Sequence, residues 1–420
     1  MPVPAQSTPI LRTIHLELSP VEVAARLRSL SGFFFLDTVP ESPGSTGAGA
    51  LSIIGALPEE VLTGNIQGDT ESLKNALEIN DDSGQADWGV PLGGLFGLID
   101  FDGSYQFGHY RRLLIFRHDC GEWLEVGDLL SCLGESPREV SLLSGIDFSA
   151  GDGRAQFCAM VECAKDYIAA GDIYQVNLSQ RFDAYWPEGA DAFELYLRLR
   201  GCSPAPYSAF FDIGGRQVIS SSPECFLDLS GSRICTRPIK GTRPRHYDPG
   251  EDERSAYELM TSPKEIAELI MITDLERNDI GKVCEFGSIR VAELLKLERF
   301  AQVFHLVSTV EGRLRPEVSH LHALAACFPG GSISGAPKRR ALEIISELEP
   351  VPRGLYTGAI GYFGVNGESQ FSIAIRTAIL EQGALYLHTG AGIVADSQAD
   401  AEYEETLHKA AGFFAAARGR

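Results

Sequence analysis

Residues 357–394 read TGAIGYFGVNGESQFSIAIRTAILEQGALYLHTGAGIV, and the class of the fold turns on them. Three segments in this stretch, TGAIGYFG, FSIAIRTAIL and ALYLHTGAGIV, are rich in β-branched and aromatic residues, and no helical pattern separates them. Strands that follow one another so closely pair as hairpins, whereas parallel neighbours need a long crossover between them. The same habit recurs upstream. Strand patterns fall at IYQVNLSQRFDAYW, at 208–213, 217–220 and 225–229, and near 304–311. Helical patterns separate these groups: FCAMVECAKDYIAAG, ending at Gly171, then 192–199, Pro263 to about Leu275, a helix after Pro337 and a last one from about Ala399. Strands grouped in this way, without strict βαβ alternation, predict an α+β fold with antiparallel sheets.

The amino-terminal part reads as sheet with peripheral helices: a helical pattern at 20–30, the apolar run GFFFLD at 32–37, a turn at ESPGSTGAGA and a strand at LSIIGAL. INDDSGQADWG, 79–89, reads as a loop. DFSAGDGRAQ, 147–156, is the best boundary, dividing the chain into 1–150 and 151–420, two regions expected to form one intimate fold.

Composition restricts the function. Among 420 residues, 36 Lys plus Arg stand against 57 Asp plus Glu, a net charge of -21 that repels nucleic acid and anionic membrane. A small anionic substrate would need a local basic pocket. No apolar run is long enough to span a bilayer, and the first residues lack a basic start followed by an apolar core, so the expected location is cytoplasmic. The nine cysteines form no CxxC pair and no zinc-ligand spacing, and read as reduced, mostly buried thiols.

Several stretches carry chemistry. SPKEIAEL places Glu265 and Glu268 on one face at a helix start, and AEYEETLHK does the same with Glu402 and Glu405. If the two pairs converge, only a hard cation offsets their charge, and oxygen ligation suits Mg²⁺. Equally, Ser262 to Glu265 is a capping box, and Glu405 with Lys409 is an i,i+4 surface pair. FPGGSISGAPKRR runs a Gly/Ser loop into a helix whose N–H groups could receive an anion, and Gly390-Ala391-Gly392 reads as a second flexible turn. Arg376, in an apolar strand, needs a carboxylate partner from protein or substrate. His305 and Tyr356 are each explained equally by core packing. Lys240, in TRPIKGTRPR, reads as lying in a proline-fenced loop, where neighbouring arginines and limited solvent would free its amine as a nucleophile, or else as a lysine snorkelling to the surface.

Taken together, DIYQVNLSQRF, SSPECFL, PIKGTRPR, SPKEIAELIMITDLERNDIGKV, FHLVSTVEGRL, FPGGSISGAPKRRALEII, RGLYTGAIGYFG, FSIAIRT and TGAGIVADSQADAEYEETLHKA run in order over 172–410. They resemble the chorismate-utilising enzymes, the family of anthranilate synthase component I, aminodeoxychorismate synthase component I and the isochorismate and salicylate synthases. The resemblance implies orthogonally packed antiparallel sheets flanked by helices. It implies that Glu268 and Glu405, supported by Glu265 and Glu402, hold Mg²⁺ against the ring carboxylate of chorismate. Glu224 resembles the general acid that protonates the departing hydroxyl. Arg376 and Tyr356 would hold the enolpyruvyl carboxylate. The Gly390, Ala391 and Gly392 backbone, Ser332 and Thr242 would contact the rest of the substrate. His305 matches the family's active-site histidine.

Five positions bear on the reaction. Gln175 stands where water-adding members have a lysine base. Lys240 stands where anthranilate synthases have alanine and aminodeoxychorismate synthases have lysine. Ser208 and Ala209 replace the Met and Phe of a tryptophan-feedback motif, and Ser332 replaces a usual Thr. The resemblance thus implies Mg²⁺-dependent amination of chorismate to 4-amino-4-deoxychorismate, towards 4-aminobenzoate and folate. The chain shows no glutaminase-like cysteine motif, so ammonia would come from solution or from a glutamine amidotransferase subunit. The alternative is anthranilate synthesis with release of pyruvate, and a third reading is a silent chorismate-binding relative. The first half matches less closely: FFFLDT lies where the family often has Leu-Leu-Glu-Ser, and GGLFGLIDFD has Phe101 in place of a tyrosine.

Overall fold

Phe33, Phe34 and Phe35 are all fully buried, because the sheet they enter is covered on both faces. Side chains alternate along a strand, so Phe33 and Phe35 join an apolar cluster with the helices Pro20–Leu27, Ala192–Cys202 and Ala399–Arg418. Phe34 points the other way, stacking on Phe96 at 4.6 Å and on Phe211 at 5.3 Å. That second cluster fills the space between two sheets.

The computed structural model describes residues 11–39, 50–68, 70–77, 89–135, 145–150, 153–300 and 303–419. It is 31% helix and 36% strand, in grouped elements, so the fold is α+β. Among the described residues one sheet has eleven strands and the other ten. Both contain strands from either side of residue 150. Phe34–Asp37 pairs antiparallel with Tyr207–Ile213 in the first, and Gly94–Ile99 with Ala359–Gly364 in the second. A third cluster packs the outer face of the ten-stranded sheet against helices including His320–Cys327.

The decisive stretch forms two hairpins, one in each sheet. Ala359–Gly364 pairs with Glu368–Ile373 in the ten-stranded sheet, and Thr377–Glu381 with Ala384–Ile393 in the other. FSIAIRTAIL, expected as one strand, is therefore two, and the chain changes sheets at residues 374–376. Arg376 makes the crossing with φ +48°, and Thr357, with φ +60°, donates its backbone N–H to Ala374 O at 2.8 Å beside it. Side chains other than glycine rarely adopt that region, and such strain concentrates at functional sites.

Other expectations are corrected. Lys240 lies in a strand, Ile239–Pro244, rather than a loop. This strand is at the edge of its sheet, paired among the described residues only to Val303–Arg313, and an edge is where proline is tolerated because one row of N–H groups needs no partner. The supposed turn at Gly390-Ala391-Gly392 lies inside the strand Ala384–Ile393, in register with Asn177, Leu178 and Ser179. The helix from Pro263 extends to Gly281, and Pro249–Met260 is a helix that the sequence reading did not find. Four of the nine cysteines are buried, fewer than expected, and all nine are free thiols. The turn at 41–50 and the loop at 79–89 lie, except for their last residues, outside the described residues. No helix among the described residues is long and apolar enough to cross a membrane.

Candidate active site

The strand Ile239–Pro244 shifts register against Val303–Arg313 between Lys240 and Thr242, where Gly241 has φ +70°. Glycine adopts this bulge conformation without a Cβ penalty. The bulge sets Thr242 opposite His305, with Oγ1 and Nδ1 3.0 Å apart and Gly241 O 3.1 Å from the same nitrogen. Burial, helped by the charge of Arg376, pushes His305 down to about 4, so its ring is neutral near pH 7. His305 and Arg376 share the wall of a small cavity with Phe300 and Pro223. Among the described residues no carboxylate lies within ion-pair distance of Arg376, and burial alone pushes its guanidinium down from its usual range. The carboxylate expected beside it is therefore not supplied by the described protein.

Lys240 Nζ donates to Ser332 O at 3.3 Å. Glu224, buried beside them, is pushed up by burial, against hydrogen bonds from Ser332 and from the backbone of Ile239 and the charge of Lys240. The three arginines flanking Lys240 are engaged elsewhere: Arg237 with Glu298, Arg243 with Glu265 at 3.5 Å and Arg245 with Asp252 at 2.8 Å. Carboxylates face Lys240 instead of the arginines that the sequence reading invoked. Its ammonium pulls down Glu224, Glu268 and Glu405.

The four glutamates start two helices, Pro263–Gly281 and Ala399–Arg418, and two lysines hold three of them. Lys264 Nζ lies 3.7 Å from Glu402 and 4.0 Å from Glu268, and Lys409 lies 2.7 Å from Glu405. Glu402 also accepts from Ser397 Oγ at 2.7 Å. Ser262 caps its helix through the N–H of Glu265, while the Glu265 carboxylate is turned to Arg243. Burial raises Glu268, and Glu265 and Glu405 add to that against Lys240 and Lys264. Burial also acts on Glu405, but Lys409, Lys264 and Lys240 outweigh it and lower the group. As the side chains stand, no three His, Cys, Asp or Glu groups among the described residues are placed to hold one ion. The donor chemistry nevertheless fits a hard cation, because all donors are carboxylate oxygens and Glu268 Oε1 is buried without a hydrogen-bond partner.

Tyr356 is buried and stacks on His388 at 5.4 Å. A Cβ on Gly390 would meet Tyr356 Oη at 2.8 Å, so the glycine strand and the tyrosine adjoin. Lys409 Nζ donates to Gly390 O at 2.8 Å, joining that strand to the carboxylate helix. The Gly/Ser loop departs from expectation: the N–H groups of Gly331 and Ser332 donate to Glu276 Oε1 at 3.0 and 3.3 Å, so an internal carboxylate takes the place of the anion. Lys264, Lys409 and Glu276 were missed as site residues. The two lysines sat in motifs already noted, whereas Glu276 lies just beyond where the sequence reading ended its helix.

A family profile described as chorismate binding enzyme matches residues 94–415. The chain belongs to the chorismate binding enzyme family. Anthranilate synthase component 1 of Synechocystis sp. is 48% identical over 283 residues, 65% of this chain and 55% of that protein. The Thermus thermophilus protein of the same name is 48% identical over 263 residues, 63% of this chain and 56% of that one. The chain thus spans about half the length of the curated relatives it matches. The crystal structure of anthranilate synthase component I from Streptococcus pneumoniae TIGR4 superposes with a TM-score of 0.78 at 31% identity, covering 90% of this chain and 93% of that one. The menaquinone-specific isochorismate synthase of Escherichia coli has the same TM-score of 0.78 at 18% identity, over 99% and 96% of the two chains, a likeness of fold alone.

Proposed function

We propose that this chain aminates chorismate, taking ammonia from a glutamine amidotransferase subunit. The observation that carries this reading is a buried guanidinium, Arg376, without a carboxylate partner among the described residues, beside His305, together with a carboxylate cluster beside Lys240 on the strand that His305 faces. Chorismate is a dicarboxylate, and this arrangement would offer one carboxylate the arginine and the other a cation held by the glutamates. Glu268 and Glu405, with Glu265 and Glu402, would hold Mg²⁺. When bound, Mg²⁺ supplies charge neutralisation for the ring carboxylate. Arg376 and Tyr356 orient the enolpyruvyl group, with Thr242 and the Gly390 to Gly392 backbone beside the ring. Glu224, whose carboxyl burial raises, would be the acid that protonates the C4 hydroxyl as that group leaves as water.

Two products compete. The names of the relatives back anthranilate better: ammonia adds at C2, water leaves from C4, and pyruvate is then eliminated. Lys240 is the specific observation for 4-amino-4-deoxychorismate, on the way to 4-aminobenzoate and folate. After its ammonium gives a proton to a facing carboxylate, its amine would attack C2 as the C4 hydroxyl leaves, and ammonia would then add at C4 and expel the amine, with the enolpyruvyl group retained. Lys240→Ala separates the two in an assay with chorismate, Mg²⁺ and ammonium. A product that keeps the enolpyruvyl group, and is lost in the variant, establishes the lysine route. Fluorescent anthranilate with pyruvate, little changed in the variant, establishes the other. No consumption of chorismate by the wild type sinks both.

A further inference from the structure

The helix Pro263–Gly281 bears a second carboxylate layer, two turns beyond Glu268 and outside the reaction described above. Glu276 is buried, and a single oxygen, Oε1, accepts the N–H groups of Gly331 and Ser332. Those two amides belong to the loop whose next atoms do the work of the site. Ser332 O receives Lys240 Nζ, and the Ser332 hydroxyl binds Glu224. The loop is anchored on either side of this point, by Lys338 Nζ to Pro329 O at 2.6 Å before it and by Asn177 N–H to Ser334 O at 2.9 Å after it, and Glu276 holds the two amides between. Ser334 Oγ bonds back to Gly330 O and Gly331 O within the loop, and Arg353 reaches Ile333 O from outside it at 3.3 Å.

We infer that Glu276 is a positioning residue for this reaction: by clamping the Gly331 and Ser332 amides through one oxygen, it fixes where Ser332 presents its carbonyl to Lys240 and its hydroxyl to Glu224. Reach is the essential property, because a shift of about 1 Å in such a group costs as much as about 100-fold in rate. Charge is not, since a neutral carbonyl oxygen accepts the same two bonds. Burial raises the carboxyl to about 7, with Asp279 adding to the rise. The groups facing it are Asp279 on its own helix, Lys338 on Lys338–Leu348, Glu224 on the loop before Cys225–Ser230, and Cys327 at the end of His320–Cys327.

The inference rests on the proposed action on chorismate, so its test carries one readout that does not. Glu276→Gln keeps the reach and loses the charge, and Glu276→Asp keeps the charge and loses the reach. In steady-state turnover of chorismate, Glu276→Gln should keep kcat within about threefold of the wild type with an unchanged pH profile. Glu276→Asp should lose kcat by about tenfold or more, with a smaller change in KM. Without substrate, amide hydrogen exchange at Gly331 and Ser332 should be accelerated by the aspartate and not by the glutamine. The reverse pattern, an active aspartate variant and a crippled glutamine variant, overturns the inference, as does an acid limb near pH 7 that disappears in Glu276→Gln. Should the wild type fail to consume chorismate, the functional proposal falls and the exchange data still decide whether Glu276 holds the loop.

Discussion

Arg376 combines three costs in one residue: a left-handed backbone, a buried guanidinium and no acidic partner among the described residues. A protein retains such a group against its own stability only if something outside the fold compensates. Arg376→Gln is therefore expected to leave the melting temperature unchanged or higher. It should also raise KM for chorismate by about 10- to 100-fold, the value of about 1.5–3 kcal/mol for hydrogen bonds to a charged group. A lowered melting temperature with normal KM would show that the guanidinium serves the fold. This residue was legible in the sequence, because an arginine within FSIAIRTAIL has to be paired by something. Its position at the change of sheets was not legible, since nothing local marks the point where an apolar run leaves one sheet for another. Lys240 is equally legible in TRPIKGTRPR, but its surroundings are not. The arginines adjacent in sequence point away, and the carboxylates it meets come from segments far along the chain.

At the level of elements, the strand Ala384–Ile393 shows why glycine misleads. Thr-Gly-Ala-Gly reads locally as a turn, yet a partner remote in sequence, Gln175–Tyr185, holds it extended. Its two glycines answer different needs. A Cβ at Gly390 would meet Leu178 O at 2.5 Å and Tyr356 Oη at 2.8 Å, whereas at Gly392 it would meet the end of the Gln175 side chain, Nε2, at 2.4 Å. Backbone oxygen cannot move aside and a side-chain amide can. Gly390→Ala should accordingly cost about 1–3 kcal/mol in urea denaturation and abolish most turnover, while Gly392→Ala should cost clearly less. Equal costs would show that the strand shifts as a whole to absorb either methyl. The helix bearing Glu265 and Glu268 was placed correctly at its start, where Ser262 and Pro263 give a local signal, and cut short at its end. The last turns lack a glycine or proline stop until Gly281, and their burial depends on contacts no local pattern contains.

For the molecule as a whole, antiparallel sheets with grouped helices were readable, because hairpins are local. The way the two halves share both sheets was not, because each shared pairing joins residues on opposite sides of residue 150. Stability against acid is a property of this whole. His305 and His388 are held by burial at about 4 and about 3, the latter with neither ring nitrogen hydrogen-bonded. Unfolded histidine binds its proton near 6.5, so between that pH and these values the unfolded chain holds more protons and stability falls as pH falls. Glu276 works oppositely: with its folded value raised to about 7, its contribution is full below about 4.5 and is lost as pH rises towards 7. His109, His118 and His320 are lowered by burial as well, and Asp100, Glu224 and Glu268 are raised like Glu276, so five histidines stand against four carboxyls; the urea midpoint should drop between pH 6.5 and 4, and His388→Leu should narrow that drop. An unchanged gap in the variant would mean that His388 is protonated in the fold. The shared sheets also bear on synthesis. The ribosome delivers Phe34–Asp37 and Gly94–Ile99 long before Tyr207–Ile213 and Ala359–Gly364, the strands that flank them. Until those arrive, the nascent first half exposes apolar, unpaired strand edges, so this chain passes through a long window of aggregation risk that a fold built from consecutive domains would escape.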